Sequence, residues 1–322
     1  MDSIYGPQFT RNPTTTGRAD SADRWEAETY CTFSKPQKRR QGGQVQYIDK
    51  DTLNHTREER MKTPLLSFRL DGLRALITAG GSGIGRVIAK YLFEAGARVH
   101  ICDIQANLLD ACGGEFPGIG TTVADVSDDS AVDHLFTDVQ RNLGGLDVLV
   151  NNAGIAGPTG AIEDIDPKEW RRCIEVDLTA QFLVARRAVP MLKANGSGII
   201  INMSSAAGRL GYAFRTPYAS AKWGVIGFTQ SLAKELGPHG ISVNAILPGV
   251  VSGPRMEGVI KARANQLGIP YEEMEQEYLQ KISLRRMVTA EDVAAMVLFL
   301  VSPMGRNVSG QSIGVCGNIE TL

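Results

Sequence analysis

From Leu70 onward the chain alternates short apolar runs with longer segments whose apolar residues recur every three to four positions. Arg74–Thr78 (RALIT) reads as a first strand, and Ile84–Ala95 as a helix turning Val87, Ile88, Tyr91 and Leu92 toward a core. Arg98–Asp103 (RVHICD) is predicted as the next strand, followed by a helix through Leu108 and a strand ending near Ala124 and Asp125. Ser127 is expected to cap a helix opened by Asp128 and Asp129, whose charges suit a helix N-terminus. The pattern then predicts a strand over Leu146–Val150, a long helix over Pro167–Leu192 and a strand over Gly198–Met203. A helix over Tyr218–Leu236, a strand over Ile241–Leu247, a helix over Glu291–Val301 and a strand around Gln311–Val315 complete it. Apolar strands alternating with helices imply one parallel sheet covered on both faces, a doubly wound α/β fold.

Residues 1–62 read differently. They hold 16 hydrophobic residues, about a quarter, with 11 Lys or Arg and 9 Asp or Glu intermixed. Such a segment buries too little apolar surface to offset its ordering entropy, so it is expected to be a disordered extension preceding a domain over 63–322. Its basic stretch, Lys35-Pro36-Gln37-Lys38-Arg39-Arg40, reads as a solvated charge cluster. Met61 lies where the globular pattern begins and is a candidate functional start.

Composition removes whole classes of function. The chain has 322 residues, 43% hydrophobic, and a net charge of -1, which offers no basic field for nucleic acid. The apolar run Val293–Val301 is too short to span a membrane, which takes roughly 20 residues. Five scattered cysteines and four distant histidines form neither a disulfide framework nor a zinc motif, so no metal is expected. Reduced thiols and no visible secretory signal point to the cytoplasm.

The candidate chemistry begins at Thr78-Ala79-Gly80-Gly81-Ser82-Gly83-Ile84-Gly85, between the first strand and first helix. Glycines there permit a tight turn and let a pyrophosphate approach the helix N-terminus. Asp103 ends the second strand 18 residues after Gly85, near the spacing of about 20 expected for an acid on the adenosine ribose. Its carboxylate would repel the 2′-phosphate of NADP, and Ile104 offers no replacement charge. Arg86 is the contrary hint, but it should lie along the helix. NAD is the expected cofactor.

Three further segments fall where strands end. Asn151-Asn152-Ala153-Gly154 follows the fourth strand and Ser204-Ser205 the fifth. Tyr218-Ala219-Ser220-Ala221-Lys222 opens the next helix, with Tyr218 and Lys222 sharing one face at i and i+4. A lysine ammonium beside a tyrosine favours its phenolate form, and a nearby serine hydroxyl can hold a substrate oxygen in place. Each signal is weak alone; their order on a dinucleotide-binding pattern carries the weight.

In this combination the chain resembles the short-chain dehydrogenase/reductase family over about Leu70–Leu322. The resemblance implies that Tyr218 is the base in alcohol oxidation or the acid in ketone reduction, and that Lys222 binds the nicotinamide ribose. It implies a substrate-orienting Ser205, 13 residues before Tyr218. It assigns cofactor contacts to Gly80, Ser82, Gly83, Ile84, Gly85, Asp103, Asp125, Val126, Asn152, Ala153, Gly154, Pro248, Gly249 and Val251. It also implies a homodimer or homotetramer built on the Pro167–Leu192 and Tyr218–Leu236 helices.

Three residues depart from the family pattern. Ala79 replaces the first glycine. Asp177 replaces an asparagine that supports a proton relay, and its charge is expected to alter the pH dependence. Gly253 replaces a threonine that bonds the carboxamide. The segment from Val250 to Arg286 matches the family's substrate lid and reads as a solvated charged helix. Arg255 near its start, or Arg209, Tyr212 and Arg215 between the serine and tyrosine, would imply an anionic substrate if an arginine faced the pocket. A hydroxy acid, sugar or polyol fits equally. The expected function is NAD-dependent exchange of a secondary alcohol and a ketone, with no membrane or nucleic-acid partner. An NADPH-dependent 3-oxoacyl-type reductase and a catalytically weak NAD-binding module stand as alternatives.

Overall fold

Residues 74–78 alternate their side chains between two apolar environments, and this alternation sets the layers. The computed structural model describes residues 69–319; the expectations for 1–62 lie outside them. Strand β1 (Arg74–Thr78) pairs in parallel with β2 (Arg98–Asp103) on one side and β4 (Val148–Asn151) on the other. With β3 (Gly120–Val123), β5 (Gly198–Met203), β6 (Ile241–Pro248) and β7 (Ser312–Val315) they form a seven-stranded sheet ordered β3-β2-β1-β4-β5-β6-β7. Every pair is parallel.

On one face Ile77, Val99, Ile101 and Val150 pack against α1 (Gly83–Glu94), α2 (Ala106–Glu115) and α9 (Ala290–Val301). On the other, Leu76, Leu149, Ile200 and Val243 pack against α3 (Asp129–Leu143), α5 (Ala180–Asn195) and α6 (Thr216–Leu236). Two apolar faces covered by helices give the doubly wound fold expected from the pattern. The chain runs outward from β1 to β3 and returns to β4, so the carboxyl ends of β1 and β4 flank a crevice where such folds bind ligands. A third apolar cluster lies beyond β6, where α7 (Pro254–Leu267) and α8 (Tyr271–Gln280) enclose Ile260, Ala264, Met274 and Tyr278.

Three expectations need correcting. The cap of α3 is Asp128, whose carboxylate accepts from the Ala131 amide at 2.8 Å, while the Ser127 hydroxyl donates to Asp125. The long helix over 167–192 is two helices, α4 (Pro167–Ile174) and α5, separated by a π-helical turn at Glu175–Thr179. The charged segment before Arg286 is not simply a solvated helix, because α7 and α8 bury an apolar stripe. Among the described residues, no helix is long and apolar enough to cross a membrane.

Candidate active site

The turn after β1 depends on the absence of side chains. Ala79 takes a left-handed φ of 50°. A Cβ at Gly80 would lie 2.6 Å from the Ile101 side chain, and one at Gly85 would lie 2.2 Å from the Ala79 carbonyl oxygen. Asn152 ties this turn to β4 by donating its side-chain amide to the carbonyls of Thr78 and Ala79 at 3.0 and 3.2 Å. The backbone amides of Asn152 and Ala153 both donate to the Thr78 hydroxyl at 2.9 Å. Gly80, Gly85 and Ala153 therefore shape the turn, whereas Ser82, Gly83 and Ile84 line the cavity above it. No side chain caps α1 at Ser82, which leaves the amides of its first turn for an anion.

Asp103 is only 7% exposed and accepts hydrogen bonds from the amides of Gly81 (3.3 Å) and Gln105 (3.1 Å). Its carboxylate thus sits at the rim of the glycine turn. Arg86 pairs with Glu115, so the one cation following the turn is already engaged. At the end of β3, Asp125 accepts from the Ser127 amide and hydroxyl and from Arg172 at 3.0 Å. Burial pushes the Asp125 carboxyl up, but these hydrogen bonds outweigh it and hold the group below the usual carboxylate range. Val126 beside it is buried.

The end of β5 separates the two serines by role. The Ser204 hydroxyl donates to the Lys222 carbonyl at 2.8 Å and so fastens α6 to the sheet. The Ser205 oxygen accepts only from the Ala207 amide, at 3.2 Å, leaving its proton for another acceptor. On α6, the Lys222 ammonium donates to the Met203 carbonyl at 3.1 Å and lies 5.7 Å from the centre of the Tyr218 ring.

Behind Lys222 stands Asp177. Its side chain is 0% exposed and that of Lys222 4%, with Oδ1 and Nζ 3.7 Å apart. The same oxygen accepts from the Ile155 amide at 2.8 Å, and a Cβ on Gly154 would come within 2.5 Å of it. The missing side chain at Gly154 therefore leaves room for this carboxylate. The π turn carries Asp177 into this position; π turns recur at functional sites because the extra residue re-aims a side chain. Burial, and then Asp177, push the Cys173 thiol up to about 12, so Cys173 is a neutral packing group.

One cavity of about 530 Å³ brings much of this together. Of the residues singled out in the sequence, Ser82, Gly83, Ile84, Asn152, Gly154, Ser205, Tyr218, Lys222, Pro248, Gly249 and Val251 line it. Gly80, Gly85, Asp103, Asp125, Val126, Ala153 and Asp177 do not. Asp103 ends β2 and Asp125 follows the carboxyl end of β3, along the same edge of the sheet. A helix end without a cap, open space at Gly83 and an acid at the rim fit a dinucleotide laid along that edge.

Part of the remaining wall comes from residues the motifs did not include: Met256, Val259 and Tyr278 stand with Tyr212, Arg215 and Arg255. Tyr278 meets Tyr212 hydroxyl to hydroxyl, and burial, then Tyr212, raises its pKa. The available signal was the stripe Tyr271, Met274, Tyr278 at helical spacing in an otherwise charged segment. At Gly253, φ is 130°, a conformation that excludes a threonine without a change of backbone path. The departure at this position therefore belongs to the local course of the chain.

Residues 78–317 match the family described as enoyl-(acyl carrier protein) reductase. The chain is 37% identical to D-beta-hydroxybutyrate dehydrogenase of Cupriavidus necator, across 75% of this chain and 95% of that protein. It is 38% identical to trans-4-hydroxycyclohexanecarboxylate dehydrogenase of Sinomonas cyclohexanicum, across 76% and 91%. Among solved structures, NAD⁺-bound xylitol dehydrogenase superposes with a TM-score of 0.75 at 25% identity, covering 77% of this chain and 99% of that one. Actinorhodin polyketide ketoreductase with NADPH gives 0.74 at 32% identity, covering 77% and 97%.

Proposed function

Because the chain belongs to the short-chain dehydrogenase/reductase family, we propose that it is an NAD-dependent oxidoreductase interconverting a secondary alcohol and a ketone, with residues 63–322 as its catalytic domain. One observation carries this reading: Ser205, Tyr218 and Lys222 line the same cavity as Ser82, Gly83 and Ile84 of the glycine turn. A nicotinamide bound there would accept or supply the hydride. The chain's own groups manage the oxygen and its proton. The Ser205 hydroxyl donates to the substrate oxygen and fixes the reacting carbon. Tyr218 takes the alcohol proton in oxidation and returns it in reduction. Lys222, held by the Met203 carbonyl and Asp177, keeps a positive charge beside the tyrosine ring. The amides at the start of α1 and the Asn152 turn would hold the pyrophosphate and nicotinamide ends of the dinucleotide.

NAD is favoured by Asp103, whose carboxylate stands at the turn while Arg86 is paired away. NADPH is the second reading, since one similar structure carries it. The xylitol and hydroxy-acid relatives widen the candidate substrates to polyols and hydroxy acids. We further propose a homodimer or homotetramer, because Phe182 on α5 and Trp223 on α6 leave aromatic surface exposed on the two helices concerned. A cytoplasmic location agrees with the free state of Cys102, Cys112, Cys173 and Cys316.

Fluorescence titration with NADH and NADPH tests the cofactor assignment. NADH should bind at least tenfold more tightly, and Asp103→Ala should narrow that gap. Equal or tighter NADPH binding by the unaltered protein would reject NAD.

A further inference from the structure

The cavity carries more positive charge than hydride exchange with a neutral alcohol requires. Arg215, Lys222 and Arg255 line it, and among the described residues no Asp or Glu does. Lys222 is offset by Asp177. Arg255 is an exposed side chain at the start of α7 that donates to the Gly154 carbonyl at 3.1 Å, on the cofactor side. Arg209, the other arginine between the serine and the tyrosine, is exposed and donates to the Ser312 carbonyl.

Arg215 is different in kind. It is 2% exposed, and no carboxylate among the described residues pairs with it. Its Nη2 donates to the Ala156 carbonyl, while its buried Nε has no hydrogen-bond partner among the described residues. The guanidinium lies 4.9 Å from the centre of the Tyr218 ring and 5.2 Å from that of Tyr212. Two aromatic faces attract the cation but cannot satisfy its N–H groups. Burying a guanidinium with an unmet donor is costly, and an anion placed against this guanidinium would offset that cost. The same cavity is lined by Met256, Val259, Tyr212 and Tyr278, whose apolar and phenolic surfaces strengthen any charge interaction made beside them.

We propose that Arg215 recognises an anionic group of the substrate, and that the substrate is a small hydroxy or keto acid. Its carboxylate pairs with Arg215 while its carbinol or carbonyl carbon lies at Ser205 and Tyr218. The proposal rests on the oxidoreductase reading of this same site. A carboxylate is the anion that suits the site: one buried guanidinium balances one charge, and its planar fork matches a planar acceptor. A phosphate dianion would leave charge uncompensated. The cavity also has to admit a nicotinamide, which restricts the acid to a small one.

The test uses the full chain saturated with NADH and titrated calorimetrically with butyrate and cyclohexanecarboxylate, each against its primary amide. Both acids should bind roughly 10- to 100-fold more tightly than their amides, the weight of one hydrogen bond to a charged group. Arg215→Met should bring that ratio toward one, and Arg215→Lys should keep part of it. An acid preference that survives Arg215→Met, or equal binding of acid and amide by the unaltered protein, overturns the proposal. Tighter binding of cyclohexanesulfonate or cyclohexyl phosphate overturns the carboxylate class. If Arg215→Met does not fold, the acid-to-amide ratio of the unaltered protein and of Arg215→Lys decides. A separate NADH titration keeps the two levels apart: failure to bind NADH strikes the oxidoreductase reading, whereas NADH binding without acid preference strikes only this proposal.

Discussion

The two sides of the cavity are built by opposite means. On the cofactor side, backbone does the shaping: glycines that cannot carry a Cβ, amides donated to Thr78, and a carboxylate held by the Gly81 and Gln105 amides. On the substrate side, long side chains do it: Arg215 against two tyrosine rings, Tyr212 against Tyr278, and an apolar stripe on α7 and α8. A shared cofactor asks for a fixed cradle, and backbone geometry supplies one. A particular substrate asks for particular side chains, and those sit on a segment outside the sheet. In the proposed reaction the first side would set the class of chemistry, and the second would select what reacts.

Between the two stands the buried Lys222–Asp177 pair, and breaking it should have the largest effect. Lys222→Met leaves the Asp177 carboxylate without its cation and should cost about 3–5 kcal/mol in urea unfolding, together with loss of turnover. If both sides keep their stability, the pair is not their common support.

Acid should weaken the cofactor side by a comparable amount. His100 on β2 is fully buried, its Nε2 2.9 Å from the Thr122 hydroxyl, which itself donates to Asp138. Asn142 approaches Nδ1 at 3.3 Å as a donor, so both ring nitrogens serve the neutral form. Burial lowers the His100 pKa from 6.5 to about 4. The folded value lies below the unfolded one, so this stability is complete above pH 6.5 and lost as pH falls toward 4. The loss amounts to about 3 kcal/mol. Urea midpoints measured from pH 7.5 to 4.5 should fall accordingly, and His100→Gln should flatten that slope.

Smaller changes should separate the sides. Tyr278→Phe removes the hydroxyl contact with Tyr212 and should cost about 1 kcal/mol. It should raise the KM for substrate while leaving NADH affinity within about twofold. Ala79→Gly releases a left-handed alanine and should stabilise the turn by about 1 kcal/mol, seen as a higher unfolding midpoint. A loss of stability would mean that the alanine methyl is held by packing.

Legibility from sequence followed the same division. β1, β2 and β5 appear over the residues their apolar runs marked, because a strand buried on both faces leaves an unbroken signal. The glycine turn and the order Ser205, Tyr218, Lys222 were readable because local spacing fixes them. The π turn was not, since an extra residue inside a helix leaves composition and periodicity almost unchanged; Asp177 was visible only as a departure. Ser127 and Asp128 are both good caps, and only the Asp125–Arg172 cluster, brought together across 47 positions, draws Ser127 away. Arg215 could be noted among other arginines, with tyrosines three residues to either side, but its burial against the Ala156 carbonyl, 59 positions away, could not be read locally.

In the proposed reaction Tyr218 moves the proton that accompanies hydride transfer to or from NAD. The direct measurement follows absorbance at 340 nm with NAD⁺ and a panel of hydroxy acids and polyols, for the unaltered protein and for Tyr218→Phe. NADH should form with at least one alcohol, and turnover should fall about 10²–10⁴-fold in the variant, with NADH affinity retained. Turnover that survives Tyr218→Phe would contradict this role of Tyr218.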